Sequence, residues 1–377
     1  MKVLMNMWPH FVLGHVGDYS ASSWVSAMSK QFPDMQFEQV RSVSAVSVAN
    51  MRALFLRGAQ KLGLLRWNSP MLQPLYNMQC TSYLPDGYLR KVKPDVIFAH
   101  SHVPRLGEFC KTPLVAVEYI ASERYMKMAG VLHCLPREIY AKRLAIEQAE
   151  VVLTTTPGSM VRLERYVPEM KLRLLQVPIY MPYVEPVTED FVVSKSRDDQ
   201  KIRILFVGAT AHRKGLPQVL RAFRMLEKSV RDRFSFSVVS SFHDGPVTGI
   251  EREAQVFSGI HSSDVAKLMQ EAHVFVFPTQ YDSYGRVIVE AMSAGCGIIC
   301  SNTDPQDWML NYGKAGLLVD PNSAVEIAGA LVSLAHDRGT RLNYALSALR
   351  RFREVFYHRV VGLQLRNAFE IAIKAKR

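Results

Sequence analysis

The hydrophobic pattern changes period most sharply between residues 273 and 295. Val274, Phe275, Val276 and Phe277 form a short unbroken apolar run closed by Pro278, the mark of a strand buried on both faces of a parallel sheet. From Arg286 the apolar positions Val287, Ile288, Ala291 and Met292 recur at helical spacing and stop at Gly295, as in a helix with a glycine C-cap. The same alternation runs along the whole chain. Strands are predicted at residues 2–7, 94–100, 112–117, 151–154, 174–177, 202–207, 236–240, 297–300 and 316–320, and helical spacing runs through Trp24 to Met28, Ile139 to Ala149, Leu220 to Leu226 and onward from Ala324. A basic amphipathic segment, residues 349–377, closes the chain. Strands alternating with helices predict an α/β fold with parallel sheets.

Open α/β sheets bind ligands at the carboxyl ends of their strands, so the turn Asp282-Ser283-Tyr284-Gly285 is the first candidate site. Backbone N–H groups around Gly285, Arg286 and Val287 would point out of a helix N-terminus, where the dipole favours an anion such as a diphosphate. Asp282 and Glu290 flank that position. An ionised carboxylate is acceptor-only, so next to a phosphate it suits the hydroxyls of a sugar or ribose.

Length and charge narrow the picture. At 377 residues the chain is too long for one ordinary core and fits two α/β domains. The formal charge of +12 points to an anionic partner, whether nucleotide-sugar phosphates, an acidic membrane surface or nucleic acid. Nucleic acid is disfavoured, because no zinc finger, helix-turn-helix pairing or aromatic stacking platform accompanies the charge. Residues 51–66 read as a basic amphipathic helix, suited either to an anionic membrane face or to an ordinary surface position with its apolar side on the core. The five cysteines include no CxxC pair, so neither a disulfide framework nor a zinc site is indicated and a reducing cytoplasm is expected. No stretch has the length of a signal peptide or a transmembrane span, which leaves a cytoplasmic chain with the option of peripheral membrane contact.

Asp282 and Glu290, eight positions apart with Tyr284-Gly285 between them and Ala291-Met292 following, resemble the Glu-(seven residues)-Glu signature of retaining GT-B glycosyltransferases, nearest to glycosyltransferase family 4. The resemblance covers roughly residues 202–330. It implies two Rossmann-like domains facing a deep cleft: an acceptor domain at 1–180, a linker at 181–200, a nucleotide-sugar domain at 201–355 and a terminal helix at 356–377 crossing back to the first domain. It also implies roles. Asp282 contacts the donor sugar, and Glu290 holds the ribose. Lys214 matches the family's diphosphate-binding lysine, while Ala209 stands where an arginine is usual, which passes that role to Arg213. Ser258, Gly259 and Ile260 border the nucleotide base, and Gly14 and Gly17 form the acceptor-side loop. The family's histidine after the strand at 114–117 is replaced by Glu118, so Glu118 and His100 are the catalytic candidates there, with His102 and His133 as alternatives.

The activity so implied is metal-independent transfer of a hexosyl group, with retention, from a UDP- or GDP-sugar to a glycan or lipid-linked acceptor in cell-envelope or polysaccharide biosynthesis. No Asp-x-Asp motif calls for a divalent ion, and no cofactor is expected. Two alternatives share the architecture: a GT-B partner subunit without turnover and a nucleotide-sugar epimerase.

Overall fold

A computed structural model describes residues 1–7, 21–40, 83–84, 86–100, 105–106, 110–118, 120, 122–128, 130, 135–197 and 201–376. The acceptor-side glycines Gly14 and Gly17, the segment 51–66, His102 and His133 lie outside the described residues.

Fourteen strands are present among the described residues: β1 (Lys2–Met7), β2 (Gln36–Gln39), β3 (Tyr83–Leu84), β4 (Val96–His100), β5 (Arg105–Leu106), β6 (Leu114–Val117), β7 (Val151–Thr154), β8 (Leu174–Gln176), β9 (Ile202–Val207), β10 (Phe234–Val239), β11 (Gln255–Phe257), β12 (Val274–Phe277), β13 (Gly297–Ser301) and β14 (Leu317–Val319). Six of them form a sheet in the order β2-β1-β4-β6-β7-β8 and six another in the order β11-β10-β9-β12-β13-β14, while β3 and β5 pair by themselves. The pairings within both large sheets are parallel. The chain is therefore two doubly wound halves.

Period-two alternation explains how the first half covers both faces of its sheet. Val3, Met5, Val96 and Phe98 enter one core, while Leu4, Ile97 and Ala99 enter the other. In the second half β12 is wholly buried, as its unbroken apolar run requires. The helix Leu216–Met225 buries Leu216, Val219, Leu220, Ala222 and Phe223 there and presents its polar positions to solvent.

The last helix, His358–Lys376, leaves the second half and closes one face of the first. Its Val361, Leu365, Ala368, Phe369 and Ala372 fill the core built on Val3 and Phe98, and the Phe369 and Phe98 rings meet edge to face at 5.5 Å. Arg366 pairs with Asp34, and Lys376 with Glu150, at 2.8 and 2.6 Å. No helix among the described residues is long and apolar enough to cross a membrane.

The linker expected over 181–200 contains, from residue 189, the helix Glu189–Ser196, N-capped by the Thr188 hydroxyl, which accepts from Phe191 N at 3.1 Å. Val192 packs with Ala345 and Leu349. The buried Lys195 donates to Ala272 O and Ala294 O at 2.8 and 3.0 Å, carbonyls just past the helices Ser262–Glu271 and Arg286–Ser293. Lys195 is buried because it finds orphan helix-end carbonyls as acceptors, while Asp190 on the same helix stays exposed. The crossing is made by residues 177–188.

Phe369→Ala should therefore destabilise the first half, not the helix alone, by about 3–5 kcal/mol. Chemical denaturation followed by tryptophan fluorescence checks this, since Trp24 lies in the same core; a loss below about 1 kcal/mol would contradict the shared core.

Candidate functional site

The order of the second sheet reverses at β9: β10 and β11 lie on one side, β12 to β14 on the other. Loops leaving the carboxyl ends of β9 and β12 must separate there, opening a crevice. The β9 loop runs through Gly208 to Gly215 and the β12 loop through Pro278 to Gly285. They are pressed together. Gly215 has φ +87°, and a Cβ on it would strike Pro278 O, so both the conformation and the space demand glycine. Gln280 N donates to Arg213 O at 2.9 Å across the same contact.

This approach puts Lys214 Nζ on Asp282 Oδ2 as a nearly buried ion pair, the two side chains 11% and 14% exposed. The Lys214 stem lies over Gly208, where a Cβ would come within 2.9 Å of Lys214 Cγ. Burial lowers the Lys214 pKa against the opposing pull of Asp282. Burial alone would raise the Asp282 pKa, but the Lys214 charge and hydrogen bond, Arg213 and the Ser283 N–H together hold it below the ordinary carboxylate value. Arg213 is fixed beside the pair: its Nε donates to Thr210 Oγ1, its Nη1 to Tyr281 O, both at 3.1 Å, and it stacks on the Tyr281 ring.

Gly285, φ +95°, is the N-cap residue of the helix Arg286–Ser293. The first turn of a helix leaves its N–H groups without intrahelical acceptors. Behind the turn stands the fully buried Gln306, which accepts from Thr303 Oγ1 at 3.0 Å and donates to Tyr284 O at 3.4 Å. A Cβ at Gly285 would come within 3.3 Å of Gln306 Nε2. Glu290, on the same helix, accepts from Tyr183 Oη at 3.0 Å. Burial raises its pKa to about 7, against the opposing charge of Arg286.

The structure thus gathers Arg213, Lys214, Asp282, Gly285, Arg286 and Glu290 around one crevice. Other candidates are placed differently. The Tyr284 ring is buried and its hydroxyl accepts from Ile179 N at 3.3 Å, pinning the crossing segment, so only its backbone borders the turn. Val287 packs on the core. Ser258 and Gly259 are exposed just after the edge strand β11, two strands from β9, while Ile260 leans on the core. In the first half, Glu118 follows β6 and is held in an ion pair with Lys142 Nζ at 2.5 Å, its side chain 11% exposed. His100 ends the neighbouring β4, tilted against Trp24 at 5.5 Å. Tyr183, Thr210 and Gln306 escaped sequence reasoning: the first lies in the crossing, the second in a loop and the third at the start of the four-residue helix Gln306–Met309, where no periodicity marks a side chain that turns inward.

The Glu290 geometry makes a pH prediction. Its carboxyl titrates near 7 in the fold and near 4.5 when exposed. Between those values the folded state binds the extra proton, so stability falls as pH rises from about 4.5 to about 7, by on the order of 1–3 kcal/mol. Glu290→Gln removes this term. The variant should melt above the parent at pH 8 and with it at pH 5 in calorimetric scans, and equal melting at pH 8 would refute the raised pKa.

Comparison with known proteins agrees with this architecture. Residues 187–351 match the family described as glycosyl transferases group 1. The O-antigen chain mannosyltransferase B of Escherichia coli is 28% identical over 145 residues, 36% of this chain and 38% of that one, so the chain spans little more than a third of that relative's length. The capsular polysaccharide biosynthesis glycosyltransferase CapM of Staphylococcus aureus is 20% identical over 292 residues, 76% of this chain and 68% of that one. Among solved structures, Anabaena HepE in complex with UDP superposes with a TM-score of 0.62 at 14% identity, covering 98% of this chain and all of the other. The chain is a GT-B protein of two Rossmann-like halves, and the stretch that matches glycosyl transferases group 1, residues 187–351, centres on the second of them.

Proposed function

We propose that the chain transfers a hexosyl unit, with retention and without a metal, from a UDP- or GDP-sugar to a glycan or lipid-linked acceptor in polysaccharide or cell-envelope synthesis. The observation that carries this reading is the convergence of Lys214, Arg213 and the Gly285 helix N-terminus beside two carboxylates. The names of the E. coli and S. aureus relatives support the product class, and the UDP bound to HepE supports the donor class.

The chemistry follows from the placements. An ammonium has three N–H donors, and one of them is on Asp282. The others, the Arg213 guanidinium and the helix N-terminus stabilise charge that grows on the departing diphosphate. Asp282, kept ionised by Lys214, accepts hydrogen bonds from the donor sugar and orients it. Glu290 accepts from the ribose and exchanges its Tyr183 partner for vicinal hydroxyls. The bond from the anomeric carbon to the phosphate oxygen breaks as the acceptor oxygen bonds on the same face, and the acceptor proton passes to that phosphate oxygen.

A second reading, a donor-binding subunit without turnover, is favoured by one observation: Glu118, where the resemblance calls for a histidine, is engaged by Lys142. Hydrolysis of a donor sugar by the purified protein would exclude it.

Calorimetric titration with UDP, GDP and ADP, with and without chelator, tests the donor site. One nucleotide should bind regardless of chelator, and Lys214→Ala should weaken it by about 10–100-fold, the range of a lost charged hydrogen bond. Asp282→Asn should depress turnover more than nucleotide affinity. Failure of all three nucleotides to bind the parent protein would overturn the reading.

A further inference from the structure

We infer that Arg162 and Asp304 form a latch between the two halves, positioning the first half against the donor crevice; as a positioning role it rests on the transferase reading above. Arg162 lies on the helix Pro157–Tyr166, which follows β7 in the first half. Its Nη1 donates to Asp304 Oδ2 at 2.7 Å and its Nε to Ile120 O at 2.7 Å, the two charged side chains being 16% and 29% exposed. Asp304 belongs to the loop after β13 in the second half. The bridge spans the interface between sheets that share no strand.

Each end is tied to a site element. Asp304 follows Thr303 and precedes Gln306 by two residues, and that pair braces Tyr284 O and the Gly285 turn. Ile120 follows Glu118 by two residues, and Ile120 N donates to Ser159 Oγ at 3.0 Å, so the first-half strand end is held by the helix that carries Arg162. The pair therefore joins the strand end bearing Glu118 to the loop behind the donor turn.

A second observation is independent of the charges. Gly158 stands in the first turn of the Arg162 helix, capped by the Thr156 hydroxyl on Ser159 N. A Cβ on Gly158 would collide with both oxygens of the Asp304 carboxylate. The carboxylate is seated against the positive end of the helix dipole, and the missing side chain at 158 is what lets it sit there. Group transfer depends on the separation of its two reactants, and an error of about 1 Å can cost about 100-fold in rate. A contact that fixes the distance between the halves is thus a control on rate without touching substrate.

The test uses three variants of the full chain: Arg162→Gln, Asp304→Asn and Gly158→Ala. In small-angle X-ray scattering of ligand-free protein, each should enlarge the radius of gyration while thermal unfolding stays cooperative. With UDP or GDP as the probe, nucleotide affinity should change less than about threefold while donor turnover falls about tenfold. A radius unchanged in all three variants overturns the latch, and so does a loss of affinity equal to the loss of turnover, which would mark Asp304 as part of the donor pocket. The scattering result does not depend on nucleotide binding. If the parent protein binds no nucleotide, the transferase reading falls and the positioning role with it, whereas a parent that binds nucleotide beside variants of unchanged size refutes the latch alone.

Discussion

Burial of both faces of a parallel sheet constrains everything else in this molecule. Strands such as β12 and β13 expose nothing, so polar chemistry has no place except where strands end. The carboxyl ends are better suited than the amino ends, because helices begin after them and bring unsatisfied N–H groups and a positive dipole. Within the second half the reversal at β9 then selects one position out of six. The loops at that position carry Arg213, Lys214 and Asp282, and the helix that follows the second loop brings Glu290.

Opposite charges at this position hold one another ready. A lysine as buried as Lys214 would lose its proton more easily without a partner, and a carboxylate as buried as Asp282 would gain one. Each opposes what burial does to the other: the Lys214 charge holds Asp282 below the ordinary carboxylate value, and Asp282 counters the lowering of Lys214. Among the described residues no cation pairs with Glu290: a tyrosine hydroxyl donates to it and the Arg286 charge opposes the effect of burial. Two carboxylates on one turn and helix are thereby held in different protonation regimes, a separation that comes from environment alone.

The sequence disclosed the parts of this design that depend on periodicity. The unbroken run at 274–277, the switch to helical spacing at Arg286 and the glycine turn are legible in the pattern, and the return of the terminal helix is what the family resemblance implies. Hidden were the features in which one side chain answers a distant one. The charged stretch after residue 189 reads as solvent-exposed because nothing near it in sequence shows that the carbonyls of Ala272 and Ala294 await Lys195. Tyr284 reads as a site residue because it lies in the site's turn, but a tyrosine's apolar ring favours the core, and the backbone N–H of Ile179 supplies a partner for its hydroxyl. Glu118 likewise takes its character from Lys142, twenty-four residues away.

The terminal helix has a consequence for biosynthesis. Val361, Leu365 and Phe369 complete a core whose strands, from β1 to β8, are made first. At the ribosome's pace of about 5–20 residues per second, the strand face built on Val3, Met5 and Phe98 waits roughly 10–40 seconds for its cover, while the second half emerges. During synthesis the later half has its own core and closes first. The first half, although it leads the chain, is the last to be finished, and in that interval its uncovered apolar face is the surface a chaperone would recognise.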